Sequence, residues 1–197
     1  MIARLDFESC LGVIIDVQEY FLNSQTTHQR DRIVHATTQF IALLGYLQIP
    51  ELFTVERPVT VKGGVPGQIM RMAEVSGSYT KMEKDFFDLT KEKSIVAHIQ
   101  SLGRKQILVA GCETDVCVLQ SVLGLLSLGY EVFVIEDLLF SADAVTGSAL
   151  VRMRDSGAVI LTLKTLFHEL LSAVRGSEHR LQLEEKFGPL PEILKEF

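Results

Sequence analysis

The apolar run Gln106-Ile-Leu-Val-Ala-Gly111 stops at a glycine, and the segment behind it, Cys112-Glu-Thr-Asp-Val-Cys-Val118, delivers Cys117 to the start of a helix. Val118, Leu119, Val122, Leu125 and Leu126 fall at helical spacing, which predicts a helix over Thr114 to Leu128 with Thr114 as its N-cap. In the first turn, unpaired backbone N–H groups and the positive end of the helix dipole favour a thiolate, and the same N–H groups could hold an oxyanion. The chemistry on offer is nucleophilic attack on a carbonyl carbon. A free cysteine is also among the most buried residue types and packs as a small hydrophobe, which is the plain alternative for Cys117. Its place just beyond a strand end, where parallel sheets collect ligands, separates it from Cys10 and Cys112.

Asp16 directly follows the apolar stretch Leu11-Gly-Val-Ile-Ile15. A carboxylate there is costly unless it is paired or working, although capping its own turn is an equally ordinary task for Asp. Lys84 lies between Met82-Glu83 and Asp85-Phe-Phe-Asp88, an apolar and acidic neighbourhood for one ammonium. Only a shared crevice makes it a partner of Asp16 and Cys117, and Lys81 stands nearby as the competing lysine.

The elements that must bring these residues together alternate between apolar runs and helical patterns, the signature of a parallel sheet covered by helices on both faces. Strands are predicted over Leu11–Ile15, Glu51–Val55, Tyr79–Glu83, Gln106–Ala110, Glu131–Ile135 and Val159–Thr162. Helices are predicted over Asp31–Leu47, Glu92–Leu102, Ala142–Asp155 and Leu166–Val174, with Gly157 suited to a helix C-terminal end. Val59 to Ser78, rich in glycine, reads as a long irregular excursion around a short helix at Gln68–Ala73, of the kind that covers sites. The reading is α/β: a three-layer α/β/α Rossmann-like domain over residues 1–175, its mostly parallel sheet of about six strands flanked by helices. A linker and short helix follow over 176–197, packed on the body or on another subunit.

Composition excludes several classes. The chain has 197 residues, 47% of them hydrophobic, enough for one large core. Three cysteines form no framework and no Cys-x-x-Cys pair, which points to a reduced, cytoplasmic setting. No apolar run reaches the length of a membrane span, and Met1-Ile-Ala-Arg-Leu-Asp-Phe-Glu8 lacks a signal-peptide core. The net charge of −6, with dispersed basic residues, argues against nucleic acid as a partner. His28, His35, His98, His168 and His179 show no metal-ligand spacing, so no protein-held metal is expected. No Gly-x-Gly-x-x-Gly follows the first strand, which disfavours a dinucleotide-dependent dehydrogenase; no cofactor is expected.

Taken together, Val13-Ile-Ile-Asp-Val-Gln-Glu-Tyr-Phe21, Glu83-Lys-Asp-Phe-Phe87, Val109-Ala-Gly-Cys-Glu-Thr-Asp-Val-Cys-Val118, Gly129-Tyr-Glu-Val-Phe-Val-Ile-Glu-Asp137 and Met153-Arg-Asp-Ser-Gly-Ala158 make a pattern. It resembles the isochorismatase-like cysteine hydrolases over roughly residues 11–172, most specifically in the cysteine segment. The resemblance implies a triad of Asp16, Lys84 and Cys117, a cis peptide at Cys112–Glu113, and an oxyanion hole from the N–H groups of Glu113 and Cys117. It also implies a thioester route for hydrolysing an amide or ureido C–N bond of a small molecule.

Where nicotinamidases of that family place an Asp-x-His metal segment, this chain has Thr54-Val-Glu-Arg-Pro58, so nicotinamidase activity is disfavoured. Cys117 argues against the vinyl-ether chemistry of isochorismate, and the Glu-x-Pro segment looks more like the isochorismatase-domain-containing hydrolases. Glu56 and Phe21 are candidate pocket residues, with structural roles as the alternative. The tail 178–197 and the hydrophobic composition fit a homo-oligomer, a dimer or tetramer. The rival class is a silent binding or scaffold protein on the same fold, with an inert or redox-sensitive thiol.

Overall fold

The computed structural model describes residues 4–143 and 145–197. Two sequence readings reach beyond them: the N-terminal reading rests partly on Met1–Ala3, and the helix expected over Ala142–Asp155 includes Ala144; of its described residues only Gly147–Asp155 are helical, so that helix starts later than expected.

In chain order the elements are β1 (Cys10–Ile15), α1 (Glu19–Leu22), α2 (Thr27–Tyr46), β2 (Glu51–Glu56), α3 (Val59–Lys62), α4 (Gly67–Ser76), β3 (Tyr79–Lys84), α5 (Lys93–Ser101) and β4 (Gln106–Cys112). A π-helical turn over Thr114–Val118 leads into α6 (Leu119–Ser127), followed by β5 (Glu131–Phe140), α7 (Gly147–Asp155), β6 (Val159–Leu161), α8 (Leu163–Leu171) and α9 (Glu178–Phe187). Among the described residues the strands form one six-stranded sheet, ordered β3-β2-β1-β4-β5-β6, with every pairing parallel. This is the three-layer α/β/α arrangement that the alternation of patterns predicts.

Burial explains the strand order. Every residue of β1, β2 and β4 is buried, as their near-continuous apolar runs require of central parallel strands. At the edge, β3 reads Tyr-Thr-Lys-Met-Glu-Lys and buries only its last residue, Lys84. Two apolar clusters fill the faces. One packs α2, α4, α8 and α9 against the sheet through residues such as Phe40, Leu44, Ala73, Phe167 and Leu183. The other packs α5, α6 and α7 through Ile95, Val122, Leu125 and Met153.

Several expected boundaries are corrected. The first long helix begins at Thr27 rather than Asp31, because Thr26 and Gln29 form a reciprocal capping box. The excursion from Val59 to Ser78 is not irregular throughout: it holds α3 and α4, and α4 belongs to the core layer through Ile69 and Ala73. β5 runs on to Phe140 past the charged pair Glu136-Asp137, which sits in a register break between Val109 and Gly111 of β4. The last body helix starts at Leu163, because Thr162 caps it by accepting from the Thr165 N–H. Thr114 is not an N-cap: Glu113 precedes a π-helical turn and offers no side-chain cap. The tail is helical in α9 and lies on the body, where Phe187 meets the rings of Phe7 and Tyr46 at 5.8 Å.

Glu51, opening β2, is a buried acid without a partner for either carboxylate oxygen among the described residues. The Ser76 hydroxyl donates elsewhere, to the Ala73 carbonyl at 2.7 Å. Burial pushes the Glu51 carboxyl up to about 8. The folded chain therefore keeps a proton that the unfolded chain releases from about pH 4.5. Stability should fall as pH rises from there to about 8, with a deficit on the order of 3 kcal/mol at neutral pH. Glu51→Gln should flatten that slope and leave the variant more stable than the parent at pH 8, as read by urea unfolding across the range.

Candidate active site

The strand order reverses between β1 and β4, and there the first residue past β1 is Asp16. It is fully buried with φ of 50°, a left-handed conformation that Asp adopts more readily than most residues. Gly111 of β4 makes the approach possible: its φ is 130°, and a Cβ there would stand 1.9 Å from the Ile15 carbonyl oxygen. The Asp16 N–H donates to the Thr54 carbonyl at 3.1 Å, and its Oδ1 accepts from the Thr54 hydroxyl at 2.9 Å.

Lys84 completes this corner from the edge strand. Register pairs it with Glu56, so its stem crosses beneath β2 and its Nζ stands 2.6 Å from Asp16 Oδ2 with both side chains sealed from solvent. The contact is an ion pair at hydrogen-bonding distance. Nζ also donates to the Phe86 carbonyl at 3.1 Å and lies 3.8 Å from Glu56 Oε2. Lys81 is exposed on the same strand and takes no part. Burial raises the Asp16 carboxyl above the ordinary range in spite of Lys84 and Thr54. For Lys84, burial alone would favour the neutral amine, but Asp16, the Cys117 sulfur and Glu56 outweigh it and keep the ammonium raised.

Cys117 enters from the other side of the switch point, in the π-helical turn before α6, and is 2% exposed. One donor atom from each of Asp16, Glu56 and Cys117 lies within 4.8 Å of the others. The Lys84 ammonium stands against both carboxylates and so supplies the cation these acids face. The thiol itself donates to Glu56 Oε2 at 3.2 Å. Against the thiolate that a helix start favours, burial and the charge of Asp16 push the thiol up, beyond what Lys84 offsets. At rest Cys117 is a thiol pointed at a carboxylate.

Glu56, expected only as a pocket residue, is therefore in direct contact with sulfur. Its other oxygen is bound by Lys62 from α3, and burial is overcome by Lys62, Cys117 and Lys84, so its carboxyl is lowered. Phe21 stands beside the site at Lys62, whose Nζ lies 5.7 Å from its ring centroid. The Cys112–Glu113 peptide is cis. Glu113 and Thr114 are tied to the end of β5: the Glu113 carboxylate accepts from the Ala142 N–H at 3.1 Å, and the Thr114 N–H donates to Ser141 Oγ at 2.9 Å.

Gln18 is the support that sequence reasoning passed over. Fully buried, it accepts from the Glu56 N–H at 2.6 Å and donates to the Glu56 and Gly63 carbonyls at 3.2 and 2.8 Å. One amide thus fixes the end of β2 and the exit of α3 against β1. The available signal was a second polar residue following the first strand just behind Asp16. For Lys62 no signal existed, since a lysine in a glycine-rich stretch reads as solvated.

A family model for the isochorismatase domain matches residues 10–165. The chain is 31% identical over 172 residues to isochorismatase domain-containing protein 2 of Xenopus laevis, covering 86% of this chain and 80% of that one. Among solved structures it is similar to the YcaC gene product from Escherichia coli, an octameric hydrolase of unknown specificity, with a TM-score of 0.81 at 22% identity over 95% and 92% of the two chains. It is also similar to nicotinamidase PncA from Bacillus subtilis, with a TM-score of 0.67 at 15% identity over 77% of this chain and 98% of that one.

Replacing Gln18 by Leu strands the buried Glu56 N–H and Gly63 carbonyl. Denaturant unfolding should show a loss on the order of 1–3 kcal/mol, whereas a surface glutamine such as Gln68 should cost little when changed to Leu.

Proposed function

The chain belongs to the isochorismatase family, and from that membership we propose a cysteine hydrolase that opens an amide or ureido C–N bond of a small molecule. The observation that carries the reading is the buried Asp16–Lys84 pair set beside the Cys117 thiol at the switch point of the sheet. A carboxylate with its proton affinity raised by burial is a suitable base, and an ammonium held charged beside it keeps the ionised site from standing as a lone buried charge.

In the proposed reaction, substrate displaces Glu56 from the thiol and Asp16 takes the Cys117 proton. The sulfur electron pair attacks the carbonyl carbon, and the resulting oxyanion is received by the N–H groups of Glu113 and Cys117, an effect typically worth about 3 kcal/mol per donor. Collapse breaks the C–N bond as Asp16 returns its proton to the leaving nitrogen, giving a free amine and a thioester. Water, deprotonated by Asp16, then attacks the thioester carbon, and the proton held by Asp16 passes to the departing sulfur. The amide-hydrolysing B. subtilis nicotinamidase supports the C–N class at the level of shared fold.

A homo-oligomer is proposed as well, supported by the octameric E. coli protein of the same fold. A cytoplasmic setting is consistent with three cysteines that form no disulfide. No helix among the described residues is long and apolar enough to cross a membrane.

Incubation with a panel of small amides, ureido acids and esters, followed by intact-mass and peptide analysis, should give an acyl mass on Cys117. Asp16→Asn and Lys84→Met should each lower turnover by about 10²–10³-fold, and Cys117→Ala should abolish it. No adduct across the panel, together with alkylation of Cys117 by iodoacetamide no faster than an ordinary thiol, would instead favour the non-catalytic scaffold. For any substrate found, the acid limb of the rate profile should lie above the ordinary aspartate range of about 3.8, activity falling as Asp16 takes up its proton.

A further inference from the structure

A cavity of about 690 Å³ lies between α8, α9 and the C-terminal turn at Glu192–Leu194, on the α2 and α8 side of the sheet, opposite the layer that holds Cys117. Phe167, Leu190, Leu194 and Phe197 line it, with the Phe167 and Phe197 rings stacked at 4.9 Å. Its charged lining is cationic: Arg175, Arg180 and Lys195 contribute, and no Asp or Glu does. In a chain of net charge −6 such a lining is a local reversal of sign.

Arg180 is the informative member. It is 6% exposed, its guanidinium carbon lies 6.0 Å from the Phe167 ring centroid, and among the described residues no carboxylate pairs with it. Its nitrogens keep solvent access through the cavity they line, yet among the described residues they have no anion to offset the loss of surrounding water. The position adds to the cost, because Arg180 occupies the first turn of α9 behind the Ser177 cap, where the helix dipole disfavours a cation. Glu184, one turn further along α9, shares the surroundings of Tyr46 with Arg180 but forms no ion pair with it, and the acids of the C-terminal turn are engaged elsewhere: Glu192 with Lys195 at 2.6 Å, and Glu196 with His35 and Gln39 at 3.3 and 2.9 Å. A negative group entering the cavity would offset both effects.

We propose that this cavity binds an apolar monocarboxylate, its carboxylate gripped by the Arg180 fork and its hydrocarbon or aromatic body laid on Phe167, Leu190, Leu194 and Phe197. A single planar fork suits a carboxylate in a bidentate contact, and one buried cation does not suit a polyphosphate. The site is separate from the proposed hydrolase chemistry.

Calorimetric titration of the full chain with decanoate tests it. Decanoate should bind with one site per chain, and 1-decanol at least about tenfold more weakly; Arg180→Met should weaken decanoate by about 10–100-fold, while Cys117→Ala leaves it unchanged. On the unaltered protein, a diazirine analogue of decanoate should photolabel peptides from residues 163–197, which keeps the test decisive if Arg180→Met does not fold. Absence of binding, equal binding of decanol, or labelling confined to peptides around Cys117 would overturn the proposal.

Discussion

The organisation of the site depends on one buried ion pair, Asp16 with Lys84. Removing two charges from water costs several kcal/mol each, and their attraction offsets that only when geometry and further hydrogen bonds are right. The chain meets the condition with three adjacent parallel strands. Parallel register brings the ends of β1, β2 and β3 to one side of the sheet, so Asp16, Thr54 and Lys84 meet although they are far apart in sequence. The pair also accounts for the edge strand. β3 is exposed along most of its length, and its one fully buried residue is the lysine whose ammonium the carboxylate requires.

Across the switch point the constraint is steric rather than electrostatic. β4 must run close enough to β1 for Cys117 to face Asp16, which Gly111 permits by having no Cβ to strike the Ile15 carbonyl. The turn that follows is π-helical, so the thiol does not sit where an ideal first α-turn would put it. Its resting partner is Glu56, and Glu56 is held by Lys62 and, through the backbone, by Gln18. The resting site is thus a closed network in which two acids and two lysines balance around a protonated sulfur. The helix dipole, a fraction of a charge, does not outweigh two nearby full charges and burial.

The two faces of the sheet present different side chains. One layer delivers the thiol on the turn into α6; the other, built on α2 and α8, ends in a tail whose aromatic and cationic residues surround an open cavity. α9 is amphipathic enough to bury Leu183 and yet turns Arg180 inward, a local conflict between burial and charge that packing alone does not explain. Such conflicts mark places where a sequence serves something beyond folding.

The layer architecture is already written in the residue order, because continuous apolar runs alternating with helical periodicity are best buried as a parallel sheet between helices. The same residue order also made Asp16 and Cys117 candidates, an acid directly after a strand and a cysteine at a helix start, whereas Lys84 was a weak signal on its own and joined them only through the family resemblance. Weak local signals, such as the Thr26 and Gln29 capping box or Thr162 before α8, were present but were outcompeted by the stronger apolar pattern. It took the packed arrangement of distant segments to turn Lys84 rather than Lys81 inward, to bring Glu56 to the thiol with Gln18 and Lys62 holding it there, and to leave Arg180 without an ion pair among the described residues. Those facts depend on which side chains from distant strands share a small volume of low dielectric. Pairwise distance and burial set that, and neither is encoded in the spacing of residues along a chain.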